Sequence, residues 1–147
     1  MPWNCLPGEF PRLDDGSGFV TSTRASLVVL STTLGGSEIG DRLGLVGDQE
    51  WNLGDPTRAG SNARQRFGGW SIDSRLDRSM GVVAHLEDLL SRALDVRDRL
   101  AILVATGEAA SSRVWLHLDS PDTGFAMEAD LLRDLARLGS LEVDVYS

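Results

Sequence analysis

Apolar side chains recur every three or four residues through positions 79–106, and a few residues later, from 113 to 119, they recur at every second position instead. That change of period constrains the fold more than any single residue does. A repeat near 3.6 puts one apolar row on a helix, and a repeat of 2 puts one on a half-buried strand. A chain that must bury both rows packs helix on sheet. Val83, Leu86, Leu90 and Leu94, then Leu100, Leu103 and Val104, mark the helical row, which Gly107 closes. Asp95, with Asp98 three residues on, is a second helix-start signal and allows a break near Leu94. In the alternating segment Val114, Leu116 and Leu118 form the apolar row, and Trp115, His117 and Asp119 face the other way.

The remaining segments extend the same pattern. Residues 1–23 hold three of the five prolines and no period, so they are expected to form an irregular tail, with Trp3, Leu6, Phe10 and Leu13 available to dock on a single α+β domain over 24–147. Residues 24–34 are rich in β-branched and apolar side chains and predict a strand that stops at Gly35 and Gly36. Ser37 is the expected N-cap of a short helix with Ile39 and Leu43 on one face and Gly44 at its end. Residues 46–66 show little period, although Trp51 and Leu53 suit a short edge strand. Residues 67–74 predict a strand with Trp70 and Ile72 on one side, Ser71 and Asp73 on the other, and a bulge at Gly68 and Gly69. A turn at 120–124 leads to a partner strand at 125–128, then a helix at 129–138 burying Leu131, Leu135 and Leu138, and a last strand. The expected fold is α+β: an antiparallel or mixed sheet with helices mainly on one face. From Phe67 onward the order reads β-α-β-β-α-β, a ferredoxin-like core preceded by an extra βα unit.

Composition narrows the function classes. The chain has 147 residues, enough for one core, and a lone cysteine, Cys5, which cannot close an internal disulfide. It has neither an apolar run of roughly 20 residues nor the pattern of a signal peptide, so the expected setting is the cytoplasm, away from membranes. A formal net charge of −8 disfavours nucleic acid and anionic lipid and favours a basic protein partner. All 14 cationic side chains are arginine, and Arg58, Arg64 and Arg66 concentrate in the connection before the second long strand. Arginines that merely solvate a loop are the preferred reading of that cluster, ahead of an anion contact.

Five short motifs occur in order: Leu43-Gly44-Leu45, Trp51 with Gly54-Asp55, Gly68-Gly69-Trp70-Ser71, the long amphipathic segment, and a terminal Leu-Gly followed by Asp144-Val145-Tyr146. Together they resemble a bacterial family of uncharacterised domains, DUF4279, from about Leu27 to the end. The resemblance implies no activity. Through a loose association of such small acidic domains with toxin-immunity gene neighbourhoods, it implies at most an immunity-protein-like role.

No phosphate-binding loop, dinucleotide fingerprint, nucleophile elbow or paired-cysteine motif is present, so no cofactor is expected and catalysis is the weaker class. The Asp122-Thr123-Gly124 triplet resembles an aspartic-protease motif, but it sits where a hairpin needs turn residues. His117 and Asp119, at i and i+2 on one strand face, suit a metal- or ligand-dependent enzyme, although no third ligand is near in sequence. Trp115, His117, Asp119, Glu142, Asp144 and Tyr146 form an expected aromatic and acidic patch on the sheet face away from the helices. The preferred expectation is a non-catalytic binding domain, monomeric or homodimeric. The alternatives are the His117/Asp119 enzyme and a self-associating structural domain. His85 reads as an ordinary imbedded or surface imidazole.

Overall fold

The computed structural model describes residues 22–58, 60–118 and 126–145. Among them are the strands β1 (Thr23–Ser31), β2 (Gln49–Trp51), β3 (Gly68–Asp73), β4 (Ser111–Leu118) and β5 (Ser140–Val145). The helices are α1 (Gly36–Leu43), α2 (Val82–Ala93), α3 (Arg97–Thr106) and α4 (Ala129–Ala136). The strands form one mixed sheet in the order β2-β3-β1-β4-β5. β1 pairs antiparallel with both β3 and β4, and β2 pairs antiparallel with β3. β4 and β5 are parallel and joined through α4, as parallel neighbours require.

Register sorts the side chains cleanly. Ala25, Leu27 and Val29 of β1 align with Ile72 and Trp70 on one side and with Leu116 and Val114 on the other. This face carries the hydrophobic core, to which α1 contributes Ile39 and Leu43, α2 contributes Leu86, Leu89 and Ala93, α3 contributes Leu100 and Leu103, and α4 contributes Leu135. Each such fully buried aliphatic side chain stabilises the fold by about 1.5–3 kcal/mol relative to exposure. The opposite, outer face carries Arg24, Ser26 and Val28 of β1, Ser71 and Asp73 of β3, Arg113, Trp115 and His117 of β4, and Glu142 and Asp144 of β5. Val28 is buried but stands apart from the main core cluster. The α+β class and the helices on one face are as expected.

The topology differs from expectation in one important respect. β1, expected as an appendage to a ferredoxin-like core, lies at the centre of the sheet between β3 and β4. Residues 126–128 lie outside any strand, so the described residues do not build the β-α-β-β-α-β order. β1 has nine residues, enough to pair along its whole length with two partners, and it takes the central place.

The segment expected as one long helix, with a break near Leu94 as the alternative, takes the alternative: it is two helices, broken at 94–96. Its buried row is Val82, Leu86, Leu89 and Ala93, then Val96, Leu100 and Leu103, whereas Leu94 and Val104 are exposed and Val83 and Leu90 are only half-buried. A row drawn through one continuous cylinder drifts off the sheet once the break resets the helix rotation. The first helix starts at Gly36 rather than after a Ser37 cap. Its leading N–H groups are met by Glu38 Oε1, 3.2 Å from Gly35 N, and by Asn52 Oδ1, 3.2 Å from Gly36 N.

Gly68 and Gly69, expected at a bulge, sit in regular ladder register opposite Ser31 and Leu30. They are needed for close approach instead: a Cβ on Gly68 would lie 1.9 Å from the Leu34 carbonyl oxygen, and one on Gly69 would lie 2.1 Å from the Trp51 ring. Gly68 faces backbone, which cannot swing aside as a ring can. The expected result for Gly68→Ala is a loss of about 1–3 kcal/mol by urea denaturation. Gly81→Ala, with nothing within 4 Å of its Cβ, is expected to cost less, about 0.5–1 kcal/mol, because alanine is a poorer N-cap for α2 than glycine.

Candidate functional site

Of the six residues expected in an aromatic and acidic patch, Trp115, His117, Glu142 and Asp144 share the outer face at β4 and β5. Trp115 stands in register with Glu142, and His117 with Asp144. The Trp115 indole Nε1–H donates to Asp144 Oδ2 at 2.8 Å, and Arg113 Nη1 donates to Glu142 Oε1 at 2.9 Å. Trp115 and Glu142 are half-buried and Asp144 is exposed. His117, in contrast, is only 3% exposed and lies opposite Arg24 of β1. Asp119 and Tyr146, along with the Asp122-Thr123-Gly124 triplet, lie outside the described residues. Among the described residues no group of three or more His, Cys, Asp or Glu side chains is arranged to hold a metal ion, and no helix is long and apolar enough to cross a membrane.

Arg58, Arg64 and Arg66 are exposed on the loop between β2 and β3. That loop is more regular than expected: Gly54 N–H donates to Gln65 O, Gln65 N–H to Asp55 O, and Thr57 N–H to Ala63 O. It leaves the sheet at the Gly68 end of β3, whereas Asp144 and His117 sit toward the other end of their strands. The arginines therefore do not join the patch.

The other motif residues are structural. Gly54 adopts φ 87°, and the adjacent Asp55 Oδ2 accepts the Asn52 N–H at 2.7 Å, so that Asn52 is held where it caps α1. Trp70 is fully buried with its Nε1–H donated to Leu45 O at 2.9 Å, and Ser71 is buried beside it on the outer face. The motif thus joins β2, β3 and α1 into one corner.

A second locus lies where β1 begins and β3 ends. Thr23, Arg24, Asp73, Ser74, Leu76, Arg78 and His85 line a cavity of about 340 Å3. Backbone bonds fix its frame: Thr23 N–H donates to Arg78 O at 2.9 Å and Ser74 N–H to Ala25 O at 2.8 Å. α2 delivers His85, 1% exposed, from the same helical row as Leu86 and Leu89. Its Nδ1 is 2.6 Å from Ser74 Oγ, and its Nε2 is 2.9 Å from the Asp77 carbonyl oxygen. A carbonyl only accepts, so Nε2 carries the proton, Nδ1 is the acceptor, and the Ser74 hydroxyl donates to it.

Charges around the cavity are tuned by named neighbours. Burial raises the Asp73 carboxyl above its ordinary value, partly offset by the hydrogen bond from Ser26 Oγ. Burial also acts to raise Asp48, but hydrogen bonds from Arg92, the Asp73 N–H and Arg75, with the Arg92 charge, outweigh it and hold Asp48 low. Arg92 Nη1 reaches Asp48 Oδ2 at 2.7 Å and also donates to Asp73 O, tying α2 to the end of β3. Sequence reasoning missed Ser74, His85, Asp48 and Arg92 as a group. The one available signal was a histidine placed inside an apolar helical row.

Burial lowers the proton affinity of His85, against the raising effects of the Asp77 carbonyl and the Asp88 and Asp77 carboxylates. In the unfolded chain the same imidazole takes a proton at about pH 6.5. The stability that neutral His85 contributes is therefore complete above that pH and is lost as the pH falls below it. The expected outcome is a urea midpoint that declines between about pH 7 and pH 5 in wild type and declines less in His85→Gln, which retains every carboxylate.

One of three comparisons with known proteins identifies the chain. A family model described as "Domain of unknown function (DUF4279)" matches residues 21–147, which takes in all five strands and all four helices described above. No curated protein and no solved structure matches the chain. With nearly its whole length matched, the chain belongs to the DUF4279 family.

Proposed function

We propose that this domain acts by binding a protein partner along the β5 edge and the adjoining outer face, the partner contributing basic and apolar side chains from an extended segment. One observation carries the reading. β5 ends the described sheet and alternates acidic side chains, Glu142 and Asp144, with Val143 and Val145, which are 45% and 47% exposed. An edge strand with one acidic and one apolar side suits strand addition by a segment of the complementary pattern. Trp115, already oriented by Asp144, supplies an aromatic anchor at the centre of that surface. The net charge of −8 favours encounter with a basic partner and speeds it. Blocking the active site of a basic toxin, in the manner of an immunity protein, is one form this binding takes in a cytoplasmic setting.

The enzyme alternative built on His117 and Asp119 gains no support from the described residues, among which no group of three or more His, Cys, Asp or Glu side chains is arranged to hold a metal ion. Self-association uses the same β5 edge and is separated by experiment. A partner captured from the native host is purified and titrated calorimetrically against wild type, Trp115→Ala and the Glu142→Gln/Asp144→Asn double variant. Each variant is expected to bind at least about ten-fold more weakly, or about 1.4 kcal/mol, and wild-type affinity is expected to drop with added salt. Unchanged affinity in both variants removes this face from the interface. A concentration-dependent dimer that the double variant abolishes, with no partner captured, assigns the edge to a second copy.

A further inference from the structure

We propose that the cavity between β1, β3 and α2 is a nucleophilic site, with Ser74 Oγ as the nucleophile and His85 Nδ1 as its base, acting on small acyl esters. This goes beyond the protein-binding reading and does not depend on it.

Hydrogen-bond polarity is the first support. The Asp77 carbonyl, 2.9 Å from Nε2, selects the tautomer with a bare Nδ1, and Ser74 Oγ stands 2.6 Å from that nitrogen. The hydroxyl proton therefore points at a base within the distance at which general-base transfer operates. The carbonyl plays the orienting part that a third group plays in nucleophile-base-orienter constellations. A second support lies on the oxygen itself. The Ala25 N–H is 3.2 Å from Ser74 Oγ and donates to it, which favours negative charge on that oxygen as its proton leaves.

A serine and a histidine joined only to fix a helix on a strand would need no space beside them. Here both line a cavity of about 340 Å3, within the range that holds small molecules, and Ser74 itself is only partly buried. The same cavity is also lined by Arg24, Arg78, Thr23 and Asp73, so polar and charged side chains surround whatever approaches the pair.

The chemistry balances without any group absent from the site except water. Ser74 Oγ attacks the acyl carbon while its proton passes to His85 Nδ1. The bond to the leaving alcohol oxygen then breaks, and that oxygen takes the proton from Nδ1. Water attacks the acyl-serine, giving a proton to Nδ1, and the serine oxygen recovers that proton as the carboxylic acid leaves. The sum is ester plus water to acid plus alcohol.

The test uses the full chain with a fluorophosphonate probe and with 4-nitrophenyl acetate. The expected result is a single adduct on Ser74, located by peptide mass spectrometry. Ser74→Ala is expected to lose it and His85→Gln to slow it at least about 100-fold, the scale of general-base assistance. Hydrolysis of 4-nitrophenyl acetate is expected to follow the deprotonation of one group and to be lost with Ser74→Ala. Absence of an adduct on Ser74 in folded wild-type protein after several hours at pH 8 overturns the proposal, whether or not either variant folds. So does a labelling rate unchanged in a folded His85→Gln.

Discussion

β1 is hydrogen-bonded along both edges and buried on both faces, Leu27 and Val29 on one and Ser26 and Val28 on the other, and every other element takes its place from that strand. Its antiparallel ladders to β3 and β4 set the register that puts Leu27 between Ile72 and Val114, and therefore decide which side chains the helices can cover. Because side chains alternate, a slip of one residue would send Ser26 and Val28 to the helices and Leu27 to the outer face. The one-sided core and the polar outer face follow from this single registration. So does the cavity, which opens at the point where β1 begins.

Two close contacts hold the ends of this ladder. At one end Gly68 and Gly69 let the Leu34 carbonyl and the Trp51 ring lie against β3, and Ser31 Oγ accepts the Leu34 N–H at 2.9 Å to fix the turn that follows β1. At the other end, Arg92 reaches across from α2 to Asp48 and to the Asp73 carbonyl, while His85 of the same helix meets Ser74. Breaking a partly buried ionic bond of this kind leaves the other partner uncompensated, so the arrangement holds α2 in one position. That position gives the cavity its shape. The site and the packing of the helix are in this sense one structure, and perturbed proton affinities at His85 and Asp73 mark where they coincide.

Local pattern went far in this chain. The strand at Trp70 and Ile72, the strand carrying Val114, Leu116 and Leu118, the helix stop at Gly107 and the final strand after Gly139 were all legible, because each rests on a short-range period or on a glycine with positive φ. Gly107 has φ 80° and Gly139 has φ 145°. The outer-face neighbours Trp115, Glu142 and Asp144 were legible as well, since strand alternation predicts which side chains share a face. The Ser74–His85 pair was not. These residues are eleven apart, one on a strand end and one in a helix, and each alone has an ordinary structural explanation.

The sequence by itself determined the class, one helical layer on one sheet, together with the side of each strand that is apolar. Those properties come from periodicity within a few residues, which a linear chain displays directly. Tertiary structure decided that β1 is central, which face the helices on either side of the break present to the sheet, and that a serine, a histidine and a backbone carbonyl meet beside a cavity. Strand order and contacts between distant residues depend on how several apolar faces are satisfied at once, and no local period records that choice.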